Sequence, residues 1–227
     1  MEQIIDFLRR LAANNNREWF QAHKNEYKEC KGIFDRHVEQ VIEGIRSFDA
    51  SIGTLTPGEC TYRIYRDTRF SADKTPYKTH MGAFVAPGGK KSGFSGYYFQ
   101  TGPEEEGYDA GCFIATGNYY AEPPVLRILR EDIDIDEEGE FEGAISGAAG
   151  SGFSLDRENE LKRVPKGYDA SHPRADLLRL RNFCLTKQAS PAYFMKPDWK
   201  NRLVTDFKAT KPFLDLINRA ITYSREG

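Results

Sequence analysis

Between Cys60 and His80 the chain reads CTYRIYRDTRFSADKTPYKTH, which sets Arg63, Arg66, Arg69, Lys74, Lys78 and His80 among Tyr62, Tyr65, Phe70 and Tyr77. Asp67 and Asp73 are the acids of this stretch, so five formal positives face two negatives, a local balance of +3 in a chain whose total is −2. Guanidinium groups hydrogen-bond a phosphate or carboxylate with two parallel N–H groups and stack on rings, while ammonium groups act as point charges. The stretch therefore suits an anion. Lys162, Arg163 and Lys166, in the second basic segment ELKRVPKGYDASHP, are expected to converge on the same ligand. Were the site catalytic, His80 or His172 is the candidate general base and Asp67 or Asp73 its orienter. The same residues allow a structural reading, in which Arg63 and Arg66 pair with Asp67, Asp73 and acids elsewhere and fix a sheet edge.

These side chains need a frame. Cys60, Tyr62 and Ile64 alternate with Thr61, Arg63 and Tyr65, the period of a strand that presents Arg63 and Tyr65 on one side. Ser71, Asp73, Thr75 and Pro76 are turn formers, so residues 67 to 80 are expected as a loop carrying Arg69, Lys74 and Lys78. Upstream, Ile4, Phe7, Leu8, Leu11 and Ala12 mark one face of a short helix. Asn15 and Glu18 have the spacing of a capping box, and Phe20, Tyr27, Phe34, Val41 and Phe48, with Val38 and Ile45, recur on one stripe. That predicts one helix of about 30 residues, about 45 Å long.

Downstream, GAFVA (82–86), YYFQT (97–101) and AGCFIAT (110–116) are short apolar runs separated by Pro87, Gly88, Gly89, Gly93 and Gly96, then by Gly102, Pro103 and Gly107, the spacing of an antiparallel meander. Pro123 and Pro124 open a helix. His172 is placed as the cap of a helix starting at Pro173, FCLT (183–186) as a last short strand, and residues 198 to 223 as two helices hinged near Thr210 and Pro212, with Leu203, Phe207, Phe213, Leu216, Ile217 and Ile221 inward. The sum is an α+β class: a single domain over 1–227, helical in 1–50, with antiparallel strands and a basic loop in 58–117, and helices with further short strands in 118–227. Its mainly antiparallel sheet packs against a long N-terminal helix and C-terminal helices.

Several tempting motifs fail on spacing. His23 and His37 sit about 21 Å apart along a helix and cannot share a metal. GGKKSG lacks the first glycine and the final Ser or Thr of a P-loop, with Phe84 and Lys91 in those places, and the G-x-x-G-x-G of GAISGAAGSG follows no strand. Eight acids between Glu131 and Glu142 read as a solvated face. Asp169, His172 and Asp176 match metal ligands by type but suit capping of a helix start better. Cys30, Cys60, Cys112 and Cys184 form no C-x-x-C pair and read as buried, reduced thiols. No metal or cofactor is predicted. Composition (39% hydrophobic, 29% charged) and a pI near 6.1 describe a soluble globular protein, not a strongly basic nucleic-acid coat. No apolar run approaches the roughly 20 residues of a membrane span, so no membrane partner is expected and the expected location is the cytoplasm.

NNNREWFQAHKNEY (14–27), YRIYRDTRFSADKTPYKTH (62–80) and LKRVPKGYDASHP (161–173), in this order, resemble the bacterial and fungal family of domain of unknown function 2461. The resemblance spans nearly the whole chain, implies a single domain, and brings no activity, cofactor or catalytic residue with it. The leading functional expectation is a site for a small anionic ligand, phosphorylated or carboxylated, at Arg63, Tyr65, Arg66, Arg69, Lys74, Tyr77, Lys78, Lys162, Arg163 and Lys166. The second is a single-stranded nucleic-acid module that stacks bases on Tyr62, Tyr65, Tyr77, Tyr97 and Tyr98. The third is a non-catalytic interaction scaffold using the face of residues 18–48. The residues leave open whether a reaction is catalysed and whether the chain is a monomer or a homodimer.

Overall fold

The computed structural model describes residues 1–103 and 111–226, so the expected turn at Gly107 and strand start at Ala110 lie outside the described residues. In chain order the helices α1 (Glu2–Ala13), α2 (Arg17–Ala22), α3 (Lys24–Arg46) and α4 (Pro57–Cys60) precede strands β1 (Met81–Val85), β2 (Gly96–Thr101) and β3 (Cys112–Asn118). Then come α5 (Pro123–Ile135), α6 (Glu140–Ala149), β4 (Ser154–Leu155), α7 (Ala175–Leu178), β5 (Phe183–Ala189), α8 (Pro191–Met195) and α9 (Trp199–Glu226). The class is α+β. The five strands form an antiparallel sheet in the order β1-β2-β3-β5-β4, so the expected meander is its first three strands. β5 is longer than FCLT and closes β3 to β4, pairing Thr186 with Ser154 and Leu185 with Leu155.

Residues 1–92, 98–114 and 188–205 make one compact unit; 93–97, 115–187 and 206–227 make a second. In the first, α1 buries Ile4, Ile5, Phe7, Leu8 and Leu11 against α3. Phe99 of β2 meets Phe34 of α3 at 5.8 Å, Trp199 at 6.1 Å and Phe194 at 6.2 Å between ring centroids. In the second, Phe207 lies 5.1 Å from Tyr97, and the buried Thr210 hydroxyl is within hydrogen-bond distance of Thr116 Oγ1 (2.9 Å) and the Phe207 carbonyl (2.8 Å).

Four local expectations are corrected. The long N-terminal helix breaks at His23, whose ring nitrogen bonds the Trp19 carbonyl (2.8 Å) and whose backbone leaves helical angles, while the apolar stripe continues past it. Asn16, not Asn15, caps α2, its side chain accepting from the Trp19 N–H at 2.9 Å. The helix near His172 begins only at Ala175. Lastly, α9 runs unbroken through Pro212. A proline inside a helix costs about 3 kcal/mol. Phe207, Phe213 and Leu214 are fully buried around it, at roughly 1.5–3 kcal/mol each, so burial outweighs the lost hydrogen bond.

The glycine-rich GAISGAAGSG run, for which no helix was expected, lies largely within α6. Half-buried Asp136 supplies its start, accepting from the N–H groups of Gly139 (2.9 Å), Glu140 (3.1 Å) and Phe141 (3.3 Å). Burial pushes the Asp136 carboxyl up, but these N–H groups and Arg174 together hold it below the ordinary carboxylate range. Six of the eight acids in 131–142 are exposed, as a solvated face requires.

Glycines divide sharply here. Gly143 lies exposed within α6 with open space where a Cβ would go, whereas Gly117, at φ +125°, has the Phe183 carbonyl against that position. Gly143→Ala is therefore expected to stabilise by about 1 kcal/mol, and Gly117→Ala to destabilise by about 3 kcal/mol. Thermal denaturation measures both; equal effects would contradict this local geometry.

Candidate functional site

Residues 61–66 and 76–83 run antiparallel as an irregular hairpin rather than the expected regular strand followed by a loop to 80. Two isolated bridges hold it, Thr61 with Ala83 and Tyr65 with Tyr77, supported by Tyr62 N–H to the Gly82 carbonyl (3.1 Å), Lys78 N–H to Ile64 (2.7 Å) and Arg66 N–H to Pro76 (3.0 Å). Cys60 ends α4 instead of opening a strand. The signal for that short helix is in the sequence, since Thr56-Pro57-Gly58-Glu59 combines a proline at the first helical position with an acid three residues after the threonine. The Glu59 carboxylate accepts from the Thr56 N–H at 2.8 Å.

Asn15 and Lys31 both tie the hairpin to the N-terminal helices, Lys31 Nζ donating to the Thr61 hydroxyl (3.2 Å). Asn15 donates its side-chain N–H to the Tyr77 carbonyl (2.9 Å) and accepts the Tyr77 N–H on Oδ1 (3.1 Å). The Tyr77 ring then stacks on buried Phe20 at 3.9 Å and 17°, with Tyr27 (5.2 Å) and Tyr65 (5.8 Å) around the same ring. Tyr77 is thus a packing residue, 3% exposed, and not the surface group expected of a ligand contact. Tyr97 is wholly buried against Phe207, so among the five expected stacking rings Tyr77 and Tyr97 offer no face to a base. Burial, then Tyr65 and Asp35, push the Tyr27 phenol up to about 12.

The cations of the stretch separate into two groups. Arg66 is bonded to the Asp73 carboxylate and the Thr75 hydroxyl, Arg69 to Asp67 (2.7 and 3.0 Å), and Lys74 to the Thr68 carbonyl (2.9 Å). These contacts build the loop. Asp67 and Asp73 are accordingly bonded to arginines and not to His80, which is half-buried at the hairpin's end with an interaction of its own. Arg63 and Lys78 have no ion pair among the described residues. Lys78 is half-buried with its ammonium 5.3 Å above the Tyr62 ring, and burial, then Arg63 and Arg66, lower its pKa. Partial burial and two nearby guanidiniums thus both disfavour the charged form of Lys78.

Three rings lie near one another on this part of the sheet. The Tyr62 and Tyr98 rings meet at 6.3 Å, Tyr98 and Phe113 at 6.4 Å, and Tyr98 lies across Gly82, where an added Cβ would fall 2.8 Å from its hydroxyl. Tyr98 donates to Gln100 Oε1 (2.5 Å), and Gln100 Nε2 donates to the Gly111 carbonyl (3.0 Å), which fixes the ring in place.

Lys162, Arg163 and Lys166 are exposed residues of the second unit. There His172 accepts the Arg174 N–H on Nδ1 (3.1 Å), and its Nε2 lies 3.2 Å from the Asp134 carbonyl; Asp169 accepts from Ser171, and Asp176 pairs with Arg157. These are turn and surface contacts. Among the described residues no group of three His, Cys, Asp or Glu side chains is placed to hold a metal ion, and no helix is long and apolar enough to cross a membrane. His23 bonds the Trp19 carbonyl, whereas His37 Nδ1 is buried with no hydrogen-bond partner among the described residues. Burial, then Lys200, lowers the His37 pKa to about 4.

The model of a conserved hypothetical protein family, DUF2461, matches residues 3–216. The chain belongs to that family. No curated protein and no solved structure matches it. The matched span includes the hairpin, both units' strands and most of α9, so family membership covers the site as well as the fold.

Asn15→Ala is expected to cost about 2 kcal/mol and to raise hydrogen exchange at the Tyr77 amide at least about tenfold; unchanged exchange there would remove Asn15 as an anchor. Asp73 is held down to about 2, first by Arg66 and then by Thr75. Its folded value being depressed, its contribution to stability is complete above the unfolded value of about 4 and is lost as pH falls through about 2. Carboxyl chemical shifts should place its midpoint near 2, and higher in Arg66→Ala but still below about 4, because the Thr75 bonds remain.

Proposed function

We propose that this chain binds a small anionic ligand, phosphorylated or carboxylated, at Arg63 and Lys78 on the hairpin of the first unit. The observation that carries the reading is the contrast among neighbouring cations. Arg66 and Arg69 have carboxylate partners, whereas half-buried Lys78, its ammonium 5.3 Å from the Tyr62 ring, has none among the described residues and is disfavoured by the charges of exposed Arg63 and of Arg66. Holding an ammonium partly out of water near like charges is costly, and an anion beside it offsets the cost. Arg66, Arg69 and Lys74 act in this reading as loop supports, and Tyr77 as the packed base of the hairpin.

A thermal-shift screen with inorganic phosphate, sugar phosphates, nucleotides, polycarboxylates and short oligonucleotides tests it. Ligand at 100 times its dissociation constant adds about 2.7 kcal/mol, several degrees for a chain of this length. Arg63→Ala and Lys78→Met are expected to abolish the shift while melting near or above the wild type, because each removes repulsion from the unliganded protein. If no anion shifts the wild type and both variants melt well below it, the two cations are structural and the proposal fails.

A further inference from the structure

From the half-buried ammonium that the hairpin leaves without an ionic partner among the described residues, we infer that Lys78 is a nucleophile whose amine forms an imine with a small aldehyde or ketone carrying a carboxylate or phosphate. The inference rests on the anion site proposed above and adds a covalent step to it.

Most partly buried lysines of this chain are otherwise engaged. Lys31, Lys187 and Lys211 bond to the carboxylates of Asp35, Asp206 and Asp215, and Lys90 bonds to the Gly58 carbonyl. A carboxylate beside a lysine holds the ammonium form, whose nitrogen has no lone pair to offer. Lys78 has no such partner among the described residues; the Tyr62 ring lies 5.3 Å from its ammonium. Burial, then Arg63 and Arg66, lower its pKa, so more of it is neutral amine at neutral pH than of a lysine in water. Its backbone is fixed, with the Lys78 N–H on the Ile64 carbonyl (2.7 Å) and the preceding Tyr77 bonded to Asn15 through both N–H and C=O. The amine is thus offered from a rigid segment and is only half-buried, as capture of a small molecule requires.

Imine formation needs no oxidant or reductant. Lys78 gives one proton to solvent, and its nitrogen lone pair adds to the carbonyl carbon as the C=O π pair moves to oxygen. That oxygen takes a proton from the nitrogen, and the carbinolamine then loses the hydroxyl together with the remaining nitrogen proton as water, which leaves C=N. Protonated, the imine keeps the charge of the ammonium it replaces. The charges of Arg63 and Arg66 that disfavour the ammonium also favour an anion on the incoming carbonyl compound. Oxo acids and open-chain sugar phosphates carry both groups within a few atoms of each other.

The test incubates the full chain with pyruvate or dihydroxyacetone phosphate, or with their uncharged counterparts acetone and dihydroxyacetone, reduces any imine with cyanoborohydride, and maps the secondary amine by peptide mass spectrometry. Lys200, half-buried with its ammonium 5.8 Å from the Trp199 ring, is the internal control. The expected result is an adduct at Lys78 at least about tenfold more abundant than at Lys200. The anionic compounds should exceed their uncharged counterparts there by roughly fivefold, the effect of one exposed ionic contact. Inorganic phosphate should protect Lys78 from the trap. Arg63→Ala, a change at an exposed side chain, should lower both the yield and the anionic preference, and Lys78→Met should remove the adduct. Should Lys78→Met melt early, the map of the wild type decides alone. Adducts spread over exposed lysines with no excess at Lys78 would overturn the covalent step; a thermal shift with inorganic phosphate would then leave the anion site standing, and its absence would remove both. An adduct at Lys78 that forms equally with charged and uncharged compounds, and that inorganic phosphate does not suppress, would overturn the anionic substrate class.

Discussion

The paired hydrogen bonds between Asn15 and the backbone of Tyr77 are the constraint on which the candidate site depends. An asparagine side chain offers one donor and one acceptor in a plane, as a peptide unit does, so Asn15 continues the hairpin's bonding where the chain has no further strand to add. It satisfies two backbone groups that would otherwise be stranded against the helices, and it sets the depth at which the Tyr77 ring meets Phe20. That ring lies 5.5 Å from Tyr65, its bridge partner, and Lys78 follows it directly in the chain. A short helical prelude thereby determines where charges some sixty residues later come to stand.

The electrostatics of the hairpin follow from that placement. In the loop, each arginine lies within a few residues of an aspartate, and local pairing between exposed groups forms readily and contributes little to stability. On the hairpin body the neighbours of Lys78 are backbone, a tyrosine ring and other cations. A tyrosine face attracts an ammonium but does not neutralise it. The local excess of positive charge evident in the sequence thus falls on three side chains instead of five, Arg63, Lys78 and Lys74, the last with its ammonium on the Thr68 carbonyl.

Much of this was legible in the residues. Short apolar runs between glycines and prolines gave the three meander strands, helical spacing gave α1 and the inward face of α9, and the density of Arg, Lys and Tyr marked the hairpin stretch, whose period of two nevertheless wrongly suggested a regular strand from Cys60. What escaped reading depended on contacts distant in sequence or on single backbone turns. The break at His23 leaves the apolar stripe intact, so periodicity cannot register it. Pro212 looks like a hinge until the buried Phe207, Phe213 and Leu214 around it are weighed. Asn15 resembled a helix cap because capping and hairpin pairing use the same side-chain atoms; its partner 62 residues away decided between them. The separation of paired from unpaired cations required knowing which aspartates the loop brings back to which arginines.

The four thiols have a use that their chemistry does not advertise. All are buried, and burial above all pushes Cys30 and Cys60 up to about 11 and Cys184 up to about 12. At neutral pH these three thiols therefore present almost no thiolate in the native protein, and their reaction with a sulfhydryl reagent must wait for the chain to open. Cys30 and Cys60 belong to the first unit and Cys184 to the second. The natural sequence thus carries its own clocks, one set for each unit, by which the opening of either is timed without adding a label.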